Sequence, residues 1–489
     1  MVLTGARSKM SNNAQIEPQV LSTTAFGEAQ VAQLKPILQV TAQYGLRDDV
    51  LTANLGGATS SVDSKFIVST GTGASNVSTI VSARQATYRA GQGLLARFTA
   101  LFTQGVANNR QYAGFITSES GFNFGFDGTE FGIVHSRDGS LEQQELGVTT
   151  SGTGNVDITI DGIIFTVALT AGTVEHNAYE ISASLNSQVP GYGFSSVGAV
   201  VSCLAQLPDL GSGAFTYNAL ASGSVATFTE IQGGTIMTDI WTPKSQWNVN
   251  PDIDIDPTLG NVYQIQLQYL GFGGIKFFIE DPETALFELV HVIRYANTSL
   301  VPIVKNPIFR IGWASRNSGN TSNVVIQGAS GAAFVEGDIF FDGNKRGLGI
   351  NQTAIDTTLT SILSIQNRLT YFGTANRAEI LLKALSVSTD TAKTAQFQLI
   401  KNPTVSIGDA LEFQELTSND LAQISTTKAA ITGGEILSAF NVKSQGTFSA
   451  DIVNTVSSLL PGDILCIAAN VSANPASEMD AALSWQDDL

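Results

Sequence analysis

The chain has 489 residues, a net charge of −17 and only two cysteines, and these properties exclude several classes of protein. This length exceeds what one hydrophobic core supports, so two to four domains are expected. Acidic side chains outnumber basic ones by 42 to 25, and no basic run is longer than Lys345-Arg346, which argues against binding nucleic acid or an anionic membrane. Cys203 and Cys466 are too few for a disulfide scaffold and are expected to be buried thiols.

A low content of charged side chains characterises the predicted surface. Charged residues make up 14% of the sequence, against roughly 25% in a typical soluble domain. Burying such a surface avoids the desolvation cost of charge, so it suits a protein that hides much of its exterior in an assembly. Met1 to Asn13 lack the apolar core of a signal peptide, and no stretch approaches the ~18 apolar residues of a membrane span. We expect a soluble protein made in a cytoplasm, without membrane insertion.

Residues 1–57 are predicted to be an N-terminal arm. Phe26–Tyr44 carries apolar residues without a clean period and is broken by Pro36. We expect this segment to be extended and to pack on a neighbouring molecule, with a disordered tail as the alternative for the first dozen residues.

After the arm, apolar and polar residues alternate as in half-buried antiparallel strands. Phe122–Phe126 has a period of two and leads into the hairpin turn Asp127-Gly128. The same pattern returns in Val262–Leu270, which glycine-rich turns follow. We predict that residues 58–146 and 234–345 build one antiparallel β-sandwich.

Residues 147–233, between the two halves of this sandwich, carry a different pattern. Asp161-Gly162 marks a hairpin, and Thr173 is a helix N-cap ahead of four apolar residues. The spacings of four, three and four within Val174–Leu185 place these residues on one face of an amphipathic helix. We predict a small α+β domain inserted into a surface loop of the sandwich, where the two ends of an insertion lie close together.

The C-terminal part is predicted to be a second β domain joined by a linker. Residues 346–366 are the linker, with a short helix near Thr357–Ile365. Ala378–Val387 alternates as a strand does, and Pro461-Gly462 separates later strands. Residues 367–489 are therefore predicted to be a β-sandwich or jelly roll, which makes the whole chain mainly β.

The sequence shows no catalytic centre, so we expect a protein that is not an enzyme. Of the three histidines, His176 is placed on the solvated side of the predicted helix, while His135 and His291 fall in strands. No GxSxG motif marks a serine nucleophile, neither cysteine has a catalytic signature, and no acid-x-acid strand motif marks a glycosidase. Gly71–Gly73 and Gly91–Gly93 are turns, because no phosphate-loop context surrounds them.

Two groups of residues are candidates for ligand binding. Asp252, Asp254 and Asp256 alternate in one acidic stretch and are candidates for a Ca²⁺ site, although the EF-hand pattern is not matched and an exposed acidic loop is favoured. Trp241 and Trp247 lie close together in a predicted loop and are candidates for stacking on a sugar, with burial in the β core as the alternative. No other cofactor is expected.

Six segments carry a recognisable resemblance. They are Tyr88–Thr103, Phe124–Ile133, Asp161–Leu185, Asp256–Gln268, Phe277–Glu280 and Tyr295–Thr298. The third is similar to hairpin–helix modules of phage tail and adhesin proteins, and the other five resemble predicted virion proteins of tailed phages and large DNA viruses. The resemblance implies a lectin-like (concanavalin-like) first sandwich and a place on a virion, and it supplies no catalytic residues.

We therefore predict a virion structural protein, meaning a capsid, vertex, tail or fibre component that self-assembles through β-sandwich faces and an N-terminal arm. Its partners are expected to be further copies of the chain and other virion proteins. The alternative is a receptor- or glycan-binding module on the virion surface, with a host-surface glycan as its ligand. A carbohydrate-active enzyme is disfavoured by the missing acid pairs.

Overall fold

The structure is a computed structural model that describes residues 33–189, 191–206, 215–338, 343–390, 393–417, 419–443, 445–452, 458–473 and 476–488. The first 32 residues of the predicted arm therefore lie outside the described residues. The described part is mainly β, with several antiparallel sheets, which confirms the predicted fold class. Its single α-helix has 15 residues, too few to cross a membrane.

The strands fall into four consecutive blocks along the chain. The first block is β1 (Leu34–Thr41), β2 (Val50–Leu55), β3 (Ala58–Val62), β4 (Lys65–Ser69), β5 (Val77–Ser82), β6 (Ala86–Thr87), β7 (Leu94–Ala100), β8 (Asn109–Ile116), β9 (Gly121–Asp127) and β10 (Glu130–Arg137). The second is β11 (Gln143–Thr150), β12 (Gly154–Ile160), β13 (Ile163–Leu169), α1 (Val174–Gln188), β14 (Tyr192–Val197), β15 (Val200–Ala205), β16 (Thr216–Asn218) and β17 (Val225–Gln232). The third is β18 (Thr238–Pro243), β19 (Asn261–Leu267), β20 (Ile275–Glu280), β21 (Phe287–Ile293), β22 (Ile308–Asn317), β23 (Val325–Gly328) and β24 (Ser330–Glu336). The fourth is β25 (Lys345–Ile355), β26 (Thr360–Asn367), β27 (Thr370–Tyr371), β28 (Thr374–Ala375), β29 (Glu379–Thr389), β30 (Thr394–Val405), β31 (Gln414–Glu415), β32 (Ala422–Ser425), β33 (Ile431–Lys443), β34 (Thr447–Asp451), β35 (Ile464–Val471) and β36 (Ser477–Asp488).

The first sandwich is built from strands on both sides of the insertion. One sheet has the order β1-β24-β7-β19-β20-β21, and the other has the order β18-β10-β9-β8-β22-β5-β2, with β6 paired to β22. Because β7 pairs with β19 and β10 with β18, the two halves predicted from the sequence share one sandwich. A small sheet of order β23-β4-β3 completes it.

Aromatic side chains from facing strands fill the core of the first sandwich. Phe124 of β9 lies with its ring centroid 4.8 Å from Tyr263 of β19 and 5.4 Å from Phe277 of β20. All three rings are fully buried. The period of two in Phe122–Phe126 therefore marks a core-facing row, and stacked or edge-on aromatic pairs add to the energy of burial.

Residues 34–55, which we expected in the arm, are edge strands of this sandwich. β1 pairs with β24 and β2 pairs with β5. Leu38 and Val40 are buried in the core, so this segment packs on its own domain. Pro36 sits at a register shift in β1, a position that an edge strand tolerates because its outer N–H groups are unpaired.

The inserted domain has the predicted helix. α1 begins after the N-cap Thr173, whose hydroxyl accepts a hydrogen bond from the backbone N–H of His176. Ala178, Ile181 and Leu185 are buried against the sheet of order β14-β15-β11-β17 and the sheet of order β13-β12-β16. The prediction of an amphipathic helix is therefore confirmed.

The C-terminal sandwich begins earlier than predicted. Its two sheets have the orders β25-β36-β29-β34 and β31-β32-β26-β35-β30-β33, so β25 and β26 replace most of the expected linker. The short helix that we predicted near Thr357–Ile365 is wrong, since this segment includes the start of β26. β26 is a central strand, and a register shift between Ser361 and Leu363 breaks its alternation of polar and apolar residues, so periodicity does not separate it from a helix.

Gly328 lies so close to Trp313 that any side chain at this position is expected to destabilise the fold. A Cβ at position 328 would lie 2.2 Å from the indole ring, which is buried and donates a hydrogen bond of 2.8 Å to the Thr99 carbonyl. We expect Gly328→Ala to lower the free energy of unfolding by about 1–3 kcal/mol, measured by chemical denaturation. The matched control is Gly349→Ala, whose Cβ would have an ordinary 3.5 Å contact with Ala482. Equal effects of the two substitutions would contradict this packing.

Candidate functional site

Trp247 lies in the core of the first sandwich. Its side chain is 3% exposed, and its ring meets Phe124 edge-on at a centroid distance of 6.0 Å. The indole Nε1 donates to the carbonyl of Thr242 at 3.3 Å. No face of this ring is open to a sugar, so the structure places Trp247 in the alternative role of a core residue.

Trp241 does not form a joint platform with Trp247. It belongs to β18, opposite Val134 in register, and is half-buried. Its ring packs so closely over Gly132 that a Cβ there would lie 2.9 Å from it. The buried Nε1 has no hydrogen-bond partner among the described residues. Two tryptophans that are six positions apart in the sequence therefore have separate environments.

The three aspartates of Asp252–Asp256 point outward, as their alternation indicates. Ile253 and Ile255 between them turn toward the core. Asp256 accepts hydrogen bonds from the backbone N–H and the hydroxyl of Thr258, at 2.8 and 2.7 Å, and these bonds lower its pKa. Within the described ranges, no three or more His, Cys, Asp or Glu side chains converge as a metal site, and these three carboxylates are no exception.

A cavity of about 380 Å³ opens at one edge of the first sandwich. It lies where the edge strand β18 of one sheet comes near the edge strand β21 of the other. Ile133, Ile240, Ile293 and Tyr295 form its apolar walls. The volume falls in the range of small-molecule sites, ~300–1,000 Å³, so this cavity is the leading candidate site that the structure adds.

His135 lines this cavity from β10 and has an unsatisfied ring nitrogen. The side chain is 5% exposed, and the ring stacks on Phe122 at a centroid distance of 4.9 Å. Nε2 has no hydrogen-bond partner among the described residues. Burial lowers the pKa of His135 to about 4, and the charge of Arg137 also lowers it. A hydrogen bond to the Ile303 carbonyl opposes this shift. The imidazole is therefore neutral at pH 7.

His291 lines the same cavity from β21 with a defined tautomer. Its Nδ1 accepts the backbone N–H of Asn248 at 3.3 Å, so in the neutral ring Nε2 carries the proton. Burial and the charge of Arg294 lower the pKa of His291 to about 4. The Asn248 side chain also exchanges two hydrogen bonds of 2.9 Å with the backbone of Val292, which covers part of the edge of β21.

The third histidine fixes the start of the helix instead of facing solvent. His176 is 7% exposed, so our placement of it on the solvated side was wrong. Its Nε2 lies 2.9 Å from the Thr170 hydroxyl, which donates to Glu180 at 2.5 Å. The loop that contains Gly172 folds over the first turn and buries the ring. Because Glu180 is near Nε2 rather than Nδ1, the group lacks the order of a catalytic triad.

Two partly buried ion pairs join the C-terminal sandwich to the first sandwich. Arg377 is buried and donates to Glu119 at 2.7 Å, and its carbonyl accepts from Gln85 at 3.2 Å. Arg89 pairs with Asp488 at 2.8 Å. A buried arginine without its partner would be strongly destabilising, so these contacts favour one fixed arrangement.

The C-terminal sandwich also contacts the inserted domain through the helix. Tyr179 of α1 is buried in a cluster with Leu411, Phe413 and Ala429. The backbone N–H of Gly198 donates to the Phe413 carbonyl at 2.8 Å. The C-terminal sandwich therefore packs against both other domains.

The outer face of the sheet β25-β36-β29-β34 is built from short side chains. Its central row across the four strands is Gly349, Ala482, Ser386 and Ser449, in register. The rows on either side are Gly347-Ser484-Ala384-Asp451 and Asn351-Asp480-Ser388-Thr447. All twelve residues are exposed or half-exposed, and only two carry a charge. We call these three rows the small-residue face.

The two tryptophans are expected to differ in their effect on stability. Trp247→Ala should lower the free energy of unfolding of the first sandwich by about 3–5 kcal/mol, because it empties a large core site. Trp241→Ala should cost markedly less, since that ring is half-exposed and its indole N–H is unpaired. Urea denaturation of both variants checks this, and an equal loss for both would contradict the placement of Trp247 in the core.

His135 is expected to make the first sandwich sensitive to acid. Its pKa in the folded chain, about 4, lies below the ordinary 6.5, so its stabilising contribution is complete above pH 6.5 and is lost as the pH falls toward 4. We expect the free energy of unfolding of the parent to fall between pH 7 and 4.5, with His135 contributing up to about 2–3 kcal/mol of the loss. His135→Phe should reduce this dependence, and the part that remains comes from His291, whose pKa is also about 4. A ring NMR titration of His135 with a midpoint near 6.5 would contradict it.

Neither a protein-family model nor a curated protein matches the chain. Among solved structures, a chain from the atomic structure of Sulfolobus Turreted Icosahedral Virus aligns over 94% of this chain and 98% of its own length. The identity is 10% and the TM-score is 0.16. This likeness is too distant to support a statement about fold or function.

Proposed function

We propose that the chain is a structural subunit of a virus particle, which assembles with copies of itself and with other virion proteins. The observation that carries this proposal is the small-residue face. Gly, Ala and Ser lose almost no side-chain entropy on burial, and a face with two charges in twelve positions is cheap to desolvate. The sequence resemblance to virion proteins points in the same direction.

The size of this face indicates how it would act. Four strands about 4.8 Å apart and five residues of about 3.3 Å each cover on the order of 300 Å². A stable interface buries roughly 800 Å² per partner, so this contact alone would be weak. Closed symmetry repeats a weak contact many times, which is how an assembly of identical subunits gains stability.

We further propose that the chain has no catalytic role. Burial raises the pKa of the Cys466 thiol to about 12 and raises that of Cys203 as well, so both thiols stay protonated and unreactive. The placement of Trp247 in the core weakens the glycan-binding alternative, because it leaves Trp241 as the remaining candidate for stacking.

Charge placed on the small-residue face should prevent assembly. We expect the parent chain to form oligomers as its concentration rises, measured by sedimentation velocity, and expect Ala482→Arg with Ser386→Arg to remain monomeric. The matched control is Thr227→Arg on β17, an exposed strand position of the inserted domain, which should assemble like the parent. A parent chain that is monomeric at every concentration would overturn the proposal. Equal assembly of all three chains would exclude this face as the contact.

A further inference from the structure

The cavity between β18 and β21 contains polar groups that the assembly function does not use. We propose that it binds a small organic carboxylate with an apolar body. Two neutral histidines, two arginines and five apolar residues converge there. The charge, the free hydrogen-bonding groups and the wall chemistry each limit what the cavity can hold.

The charge at the cavity favours an anion. Arg294 is exposed and has no ion-pair partner among the described residues, whereas Arg137 is paired with Asp138 at 3.2 Å. One guanidinium is therefore available at the mouth. The charge of Arg294 also lowers the pKa of His291, which indicates a positive potential at this end of the cavity, whereas at His135 the charge of Arg137 is opposed by Asp138 and Asp239. That potential disfavours a metal cation on the two histidines and suits a carboxylate.

The hydrogen-bonding groups suit an oxyanion. Nε2 of His135 has no hydrogen-bond partner among the described residues, so the neutral ring donates to the Ile303 carbonyl through Nδ1 and its Nε2 is an acceptor that does not bond a carboxylate. His291 holds its proton on Nε2, because its Nδ1 accepts from Asn248. Nε2–H of His291 and the guanidinium of Arg294 therefore supply the donors for the two oxygens of one carboxylate.

The walls suit a hydrocarbon body. Ile133, Ile240, Ile293 and Tyr295 present apolar surface around the polar end of the cavity. The volume of about 380 Å³ has room for a body of about six carbon atoms. Such a ligand gains from burial of its apolar surface while its charge stays near Arg294 at the mouth.

The chain has only three histidines, so ring NMR reports directly on this cavity. We expect 4-methylpentanoate to shift the resonances of His135 and His291 and to leave His176, buried in the inserted domain, unchanged. Arg294→Gln should weaken binding roughly tenfold, since it removes a charge-assisted hydrogen bond. The matched control Arg47→Gln, at an exposed arginine outside the cavity, should bind like the parent.

Two further probes make the test decisive. 4-Methylpentanol has the same body without the charge, and N-acetylneuraminic acid carries a carboxylate on a polar sugar. Equal binding of the alcohol would overturn the carboxylate assignment, and binding of the sugar acid alone would overturn the apolar body. No shift with any probe would overturn the proposal as a whole. None of these outcomes depends on whether the chain assembles.

Discussion

The pairing of β10 with β18 is the interaction on which the arrangement of the chain depends. About 100 residues lie between these strands, yet closing a longer loop costs only slightly more entropy. Asp239 of β18 strengthens the junction by accepting hydrogen bonds from Arg110 and Tyr112 at 2.7 Å and from Ser136 at 2.6 Å. The same register places His135 opposite Ile240, so the pairing that anchors the inserted domain also builds the edge cavity.

Ion pairs and uncharged side chains have different structural roles in this chain. The contacts between domains use partly buried ion pairs such as Arg377–Glu119, which lose much energy if the partners separate. The small-residue face uses short side chains, ten of the twelve uncharged, which suit a contact that forms and repeats. A fixed body with a weakly charged outer face is the physical basis for proposing an assembly subunit.

Features that depend on nearby residues could be predicted from the sequence, and features built by distant residues could not. Thr173 and the spacings after it specify α1 locally. The edge strand β1 was missed because Pro36 interrupts its pattern, and β26 because the register shift after Ser361 interrupts its alternation. The period of two through Phe131 and Ile133 continues to His135 and could have indicated its burial. The cavity itself joins residues 133–295, a separation that no local pattern reports.

The central claim is that this chain assembles through the small-residue face of its C-terminal sandwich. The most direct measurement is cryo-electron microscopy of the assemblies that the full chain forms. The account predicts that Gly349, Ala482 and Ser386 lie in van der Waals contact with a neighbouring subunit. Assemblies in which this face is open to solvent on every subunit would contradict it.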